Sequence, residues 1–102
     1  MYLLHGKLTA KDGQVGRLAD VLLDASKFVS TAMGCRLYVI GKDENDLNSV
    51  YVTEIWDTKE DHDNALNVES VKELIASAIP LLGAQPIKGQ EIEILGGSGI
   101  TI

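Results

Sequence analysis

Between Gln14 and Met33 the apolar residues Val15, Leu18, Leu22, Ala25, Val29 and Ala32 recur at steps of three and four. A 3.6-residue turn places such residues on one stripe, so the segment predicts an amphipathic α-helix of about five turns over 14–33. Ala19, Val21 and Phe28 widen the stripe, while Arg17, Asp20, Asp24 and Lys27 lie off it. Gly34 supplies the residue that takes a left-handed C-terminal conformation at low cost. A helix this long must bury one face, and the rest of the chain has to supply the surface it lies on.

The flanking segments have the other period. Tyr2–Thr9 reads as a strand, with Leu4, Gly6 and Leu8 on one face and Leu3, His5 and Lys7 on the other. Asp12, in the turn that follows, can cap the helix start. Cys35–Ile40 alternates, with Cys35, Leu37 and Val39 expected on one face and Arg36, Tyr38 and Ile40 on the other. Residues 41–48 read as a polar, acidic loop, and SVYVTEIW over 49–56 as the second strand of an antiparallel hairpin. Asp57 or Thr58 caps the next helical region, Thr58 standing three residues before Asp61 as a weak capping box; the region is polar over 59–67 and more amphipathic over 68–82, and Pro80 closes it. A last strand is expected over Ile87–Leu95 after Pro86, with Ile92 and Ile94 on one face. The order β-α-β-β-α-β predicts an α+β, ferredoxin-like fold: an antiparallel sheet with its helices on one face. The domain is expected over 1–95, and GGSGITI over 96–102 as a flexible or partner-contacting tail.

Such a sheet leaves its second face open. Here that face is apolar as well, since Leu3 and Leu4, Val50 and Tyr51, and Val52 and Ile55 put large side chains on both sides. An apolar patch of that size is rarely left exposed by a monomer. A homodimer packed sheet against sheet is the economical expectation. Composition limits the other partners. Lys and Arg number 9 against 15 Asp and Glu, a formal charge of −6. That balance argues against a general nucleic-acid binder, which needs a basic surface, and against attachment to anionic lipid. The apolar runs are too short to span a bilayer. No basic-then-apolar leader opens the chain, and its one cysteine, Cys35, cannot form an internal disulfide, so a reducing cytoplasm is the expected setting.

Few residues carry chemistry. Trp56 is the only tryptophan. Its plain role is core packing; its functional role is to line a pocket, stack on a flat ligand and offer one N–H. Residues two apart share a strand face, so Val50, Val52, Glu54 and Trp56 stand together and meet Leu18, Leu22 and the turn bearing His62 if that face looks toward the helices. A carboxylate there must find a donor, water or a helix N-terminus, which is what Glu54 is expected to do. His62 lies among Glu60, Asp61 and Asp63. It is either a solvated histidine or a base at the pocket mouth, able to take a phenolic proton. Tyr51 falls on the face opposite Trp56 and suits a dimer contact. Cys35 reads as a buried, inert thiol. Two histidines without HxH, HxxxH or CxxC spacing predict no metal. Asp43, Glu44 and Asp46 lack calcium-loop spacing, and GGSG at 96–99 lacks the Lys and helix of a phosphate loop.

The run YVTEIWDTKEDHDNALNVESVKELIASAIPLL, with Glu54, Trp56 and Thr58 as strand–Glu–x–Trp–cap, resembles the third strand and following helices of the antibiotic biosynthesis monooxygenase family. The N-terminal strand, the long helix and the glycine before the second strand extend the resemblance over Met1–Leu95. It implies a dimeric α+β barrel. It also implies oxygenation of small aromatic phenols or quinols by O2 without metal or flavin; other relatives degrade haem or process small signalling molecules. The family's site sets carry over in part. Two helix positions that hold His in quinol-oxygenating branches are Ala65 and Ser70 here. The Asn four before the Trp in polyketide-oxidising relatives is Val52, and their Tyr six after it is His62. The haem-degrading branch's first-strand Asn falls at Gly6, and its iron-ligating His at or near Leu66. The resemblance therefore implies a cofactor-independent monooxygenase with His62 and Trp56 as catalytic residues and Glu54, Val52, Leu18 and Leu22 around a small aromatic ligand. The alternative is a non-catalytic, dimeric small-ligand-binding protein of the same fold.

Overall fold

The computed structural model describes residues 1–85 and 89–100. Its elements are β1 (Tyr2–Thr9), α1 (Val15–Val29), β2 (Cys35–Asp43), β3 (Asp46–Trp56), α2 (Lys59–Ala65), α3 (Glu69–Ala78), a 3-10 turn (Ile79–Leu81) and β4 (Gln90–Glu93). The four strands form one antiparallel sheet in the order β2-β3-β1-β4. That is the ferredoxin-like α+β arrangement. The register sets Tyr2 opposite Trp56, Leu4 opposite Glu54, Gly6 opposite Val52 and Leu8 opposite Val50, so these residues share the face that the helices cover.

The helix stripe does what its period predicts: Leu18, Leu22, Ala25 and Val29 are its buried residues. At one end of the layer Leu18 and Leu22 join Ala10, Val50, Val52 and Ala78 in one cluster. At the other, Val29 joins Trp56, Ala65 and Val71.

Local chemistry moved several boundaries. α1 stops at Val29 rather than Met33, because the hydroxyls of Ser30 and Thr31 donate to the carbonyls of Lys27 and Phe28 three residues back. Asp12 does not cap it. Its Oδ1 accepts from Asn48 Nδ2 at 3.2 Å, and the helix opens at Gln14 without a side-chain cap. The expected acidic loop over 41–48 is instead paired strand almost throughout, closed by the two residues Glu44 and Asn45. Asp43 Oδ1 accepts the Asn45 N–H at 2.9 Å, so residues that look like loop formers make the turn themselves. A register shift between Cys35 and Leu37 undoes the expected alternation there. Cys35 therefore packs with Trp56 and Tyr38 on the helix side instead of sharing a face with Leu37.

The expected second helix is two helices. Asn67 Nδ2 donates to the Asp63 carbonyl at 3.3 Å, and Val68 is extended (φ −70°, ψ 132°). Pro80 falls inside the 3-10 turn that follows. At the start of α2, Thr58 Oγ1 accepts the Asp61 N–H at 3.1 Å, as the capping pattern predicts. Gly34 fixes the approach to this helix. Its φ is +81°, its carbonyl accepts the Asp57 N–H at 2.8 Å, and a Cβ there would collide with the Asp61 carboxylate.

The last strand is shorter than expected. Pro86 and Ile87, where it was to begin, lie outside the described residues, as do Thr101 and Ile102 of the tail. Gly99 and Ile100 share a shallow recess with Arg36, Leu37 and Ile55. No helix among the described residues is long and apolar enough to cross a membrane.

Candidate active site

Between the sheet and the helices α1 and α3 lies a cavity of about 280 Å³. Its wall is apolar over most of its area, with Leu22, Val29, Val71, Leu74 and Ile75 among the contributors. Polar side chains enter at the end where β3 runs into α2: Glu54, Trp56 and His62, with Tyr38 from β2.

Each arrives there by a local rule. The strand period brings Glu54 and Trp56 to the same face, and both are buried. Trp56 does not turn its N–H to the cavity, as a ligand-binding donor would. It donates it to Glu54 Oε1 at 3.1 Å, because a buried carboxylate beside it needs a donor more than an empty apolar space does. Glu54 is thus satisfied by the indole and not by a helix N-terminus. His62 comes from the first turns of α2, a polar stretch that suggests a solvated residue. Its side chain is only 12% exposed. The ring stands edge-on to Trp56 with centroids 5.8 Å apart, and Tyr2 packs on it at 5.8 Å. His62 Nε2 lies 3.8 Å from Glu54 Oε1, and His62 Nδ1 lies 3.0 Å from Asp63 Oδ1.

Electrostatics follow from the burial. Removal from water raises the pKa of Glu54, against the opposing pull of the Trp56 N–H and of positive charge on His62. The phenol of Tyr38 is likewise pushed up, first by burial and then by the Glu54 charge. Tyr2 is pushed up to about 12 by burial and by its hydrogen bond to Glu91 Oε1 at 3.1 Å. Burial also raises the Cys35 thiol, which disfavours its reactive thiolate.

Of the residues singled out from sequence, Glu54, Trp56, His62 and Leu22 line the cavity. Leu18 and Val52 do not. Leu18 is sealed in the core cluster, and Val52 faces a smaller recess with Leu4, Gly6 and Gly89. Nothing in the sequence singles out Tyr38 or Tyr2, which suit strand packing. An aromatic residue on a strand carries no sequence mark of what it meets; pairing with Glu54 brings Tyr38 to the cavity, and pairing with Trp56 brings Tyr2 against His62. Among the described residues no three His, Cys, Asp or Glu side chains gather as metal ligands. Ala65, at a family His position, is buried in the cavity wall, and Leu66 lines it too.

A ferredoxin-like antiparallel sheet with its helices on one face, enclosing an apolar cavity with one polar end, defines the α+β class of the chain. The chain belongs to the antibiotic biosynthesis monooxygenase family, whose model matches residues 1–77. It is 35% identical to a candidate antibiotic biosynthesis monooxygenase from Chloroflexus aurantiacus J-10-fl, with a TM-score of 0.87 and 98% of each chain covered. A Nitrosomonas europaea protein of unknown function is 25% identical with a TM-score of 0.77, over 94% of this chain and 90% of that one. A Pseudomonas aeruginosa protein at 21% identity shares the fold, with a TM-score of 0.81 over 93% of this chain and 94% of that one. No curated protein matches the chain.

Proposed function

We propose that the chain is a cofactor-independent monooxygenase that oxidises a small aromatic phenol or quinol with O2. The observation that carries this reading is the polar knot of Glu54, Trp56 and His62 at one end of an otherwise apolar cavity. The apolar walls hold a flat ring and exclude water, which strengthens electrostatic interactions at the polar end. Trp56 lends the ring an aromatic wall. The end built by His62 and Glu54 takes the hydroxyl proton, and the resulting phenolate is electron-rich enough to reduce O2. For a naphthol, one oxygen atom becomes the new ring carbonyl and the other leaves as water with two substrate hydrogens, so the substrate supplies every electron.

The partner in this reading is a second copy of the chain. The outer sheet face presents His5 stacked on Tyr51 at 5.8 Å, Lys7 over the same ring at 6.0 Å, and Val39 and Leu37 beside them. Two such faces together would bury at least the roughly 1,200–2,000 Å² of a stable interface. Sedimentation equilibrium at micromolar concentration checks this; a persistent 11.0 kDa species would sink it.

The second reading, a non-catalytic dimeric binder, draws on Ala65 and Ser70 where quinol-oxygenating relatives carry His. Oxygen uptake with a panel of hydroquinones and naphthols separates the two. Uptake matched by quinone formation is the expected result. Binding of those compounds without uptake would move the assignment to the binder.

A further inference from the structure

We infer that Glu54, His62 and Asp63 form a proton relay leading from the cavity to solvent, a reading that deepens the monooxygenase proposal and rests on it. The three groups follow one another by contact, two of them buried and the third at the surface. The side chain of Glu54 is 11% exposed, that of His62 12% and that of Asp63 56%. A carboxylate in contact with water only accepts hydrogen bonds, so the 3.0 Å contact between Asp63 Oδ1 and His62 Nδ1 puts the ring hydrogen on Nδ1. That fixes the tautomer of the neutral imidazole. Its Nε2 is then a lone pair, and it faces Glu54 Oε1 across 3.8 Å.

Two acceptors facing one another at that distance are complementary only when a proton sits on one of them. Catalytic hydrogen bonds are often long before ligand binds and tighten afterwards. The pair is therefore an acceptor for one added proton, that of the ligand, which can sit on Glu54 or on Nε2 and pass between them. Trp56 holds Oε1 in place with its N–H, so the carboxylate cannot swing away from the ring. The surrounding titratable groups leave the exchange alone. Tyr2, against the imidazole, is tied to Glu91; Tyr38 and Cys35 are both kept protonated by burial and by the Glu54 charge.

The steps balance without a redox partner. The ligand O–H bond breaks and a bond from that hydrogen to Glu54 forms. The hydrogen moves on to His62 Nε2, giving the imidazolium, which releases its Nδ1 hydrogen to water by way of Asp63; the Nε2–H ring left behind returns to the Nδ1–H form by proton exchange with water before the next ligand. Glu54 is then the group that touches substrate, His62 the shuttle, and Asp63 a positioning residue that sets the tautomer.

Nitrogen-15 NMR of the labelled full chain tests the tautomer directly, with His5→Gln used to tell the two histidines apart. The neutral His62 ring is expected in the Nδ1–H form, and Asp63→Ala is expected to shift it toward Nε2–H, which free imidazole prefers. An Nε2–H ring in the parent, unmoved by Asp63→Ala, overturns the relay. A second arm uses 1-naphthol, whose naphtholate has its own absorption band. The parent is expected to bind it with that band present at neutral pH, and Glu54→Gln to weaken the band about tenfold or more, the effect of about one pKa unit in the acceptor. Glu54→Asp should retain part of it. An undiminished band in Glu54→Gln also overturns the relay. If 1-naphthol neither binds nor consumes oxygen, the ligand reading fails at this probe while the tautomer measurement still decides the relay.

Discussion

The two ends of the layer between sheet and helices are built from the same strands yet differ in kind. At one end Leu18 and Val50 are fully closed from water and surrounded by Ala10, Val52 and Ala78. At the other Trp56 is just as deeply buried, but it borders a cavity and donates a hydrogen bond to a carboxylate. Burial alone therefore does not separate core from site. What separates them is a void on one side of the residue and polar atoms that satisfy one another within apolar walls.

The largest expected effect comes from removing the indole. Trp56→Ala should cost about 3–5 kcal/mol, since it enlarges a void and strips Glu54 of its donor. Urea unfolding monitored by circular dichroism measures it; a variant as stable as the parent would mean that this end contributes nothing to the core. The packed end should respond differently from the cavity wall. Leu18→Ala should cost about 2–5 kcal/mol, whereas Leu74→Ala, a half-buried residue already facing empty space, should cost about 1–2 kcal/mol. Equal costs in the same unfolding experiment would erase the distinction between the two ends.

Trp56→Phe probes the hydrogen bond with the packing largely kept. A cost of about 1.5–3 kcal/mol is expected, the range for a hydrogen bond to a charged group. The same variant should lose ligand turnover because Glu54 is released, not because a donor to the ligand is gone. An unchanged melting temperature together with unchanged oxygen uptake would refute that.

The smallest effect is a pH dependence. Burial holds the pKa of Glu54 above its unfolded value, so in the window above that value the folded state binds more protons than the unfolded chain. Stability from this group is therefore present at low pH and lost as pH rises through the unfolded and then the folded pKa. Glu54→Gln keeps the shape and removes the charge. Relative to the parent it should gain stability as pH rises above the ordinary carboxylate range of about 4, with the two converging at the acid end. Melting curves across that range check the sign; a parent that gains on the variant with rising pH would show that the Trp56 N–H and His62 outweigh the burial.

The sequence was legible where a single period governed. The α1 stripe named its own buried face, and the spacing of Val50, Val52, Glu54 and Trp56 put the four on one face of β3, which the structure turns toward the helices. It was less legible where side chains bonded backbone. Asp43 made a two-residue turn out of what reads as a loop, and Asn67 split one expected helix into two. The candidate site lies across that second kind of feature, because the short α2 is what swings His62 inward from a run of charged residues.

What the sequence by itself determined is the alternation of elements and which residues of α1 and of β3 share a face, because helix and strand periods are local and need no partner to be read. What only the tertiary structure decided is the meeting of Glu54, Trp56, His62 and Tyr38 around one end of a cavity. Tyr38 and Glu54 meet through strand register, and His62 reaches them through the cap at Thr58, the close approach at Gly34 and the break after Ala65. None of those contacts is periodic: the cap at Thr58 and the break after Ala65 are local side-chain bonds to backbone, while the register and the approach at Gly34 each join residues distant in the chain.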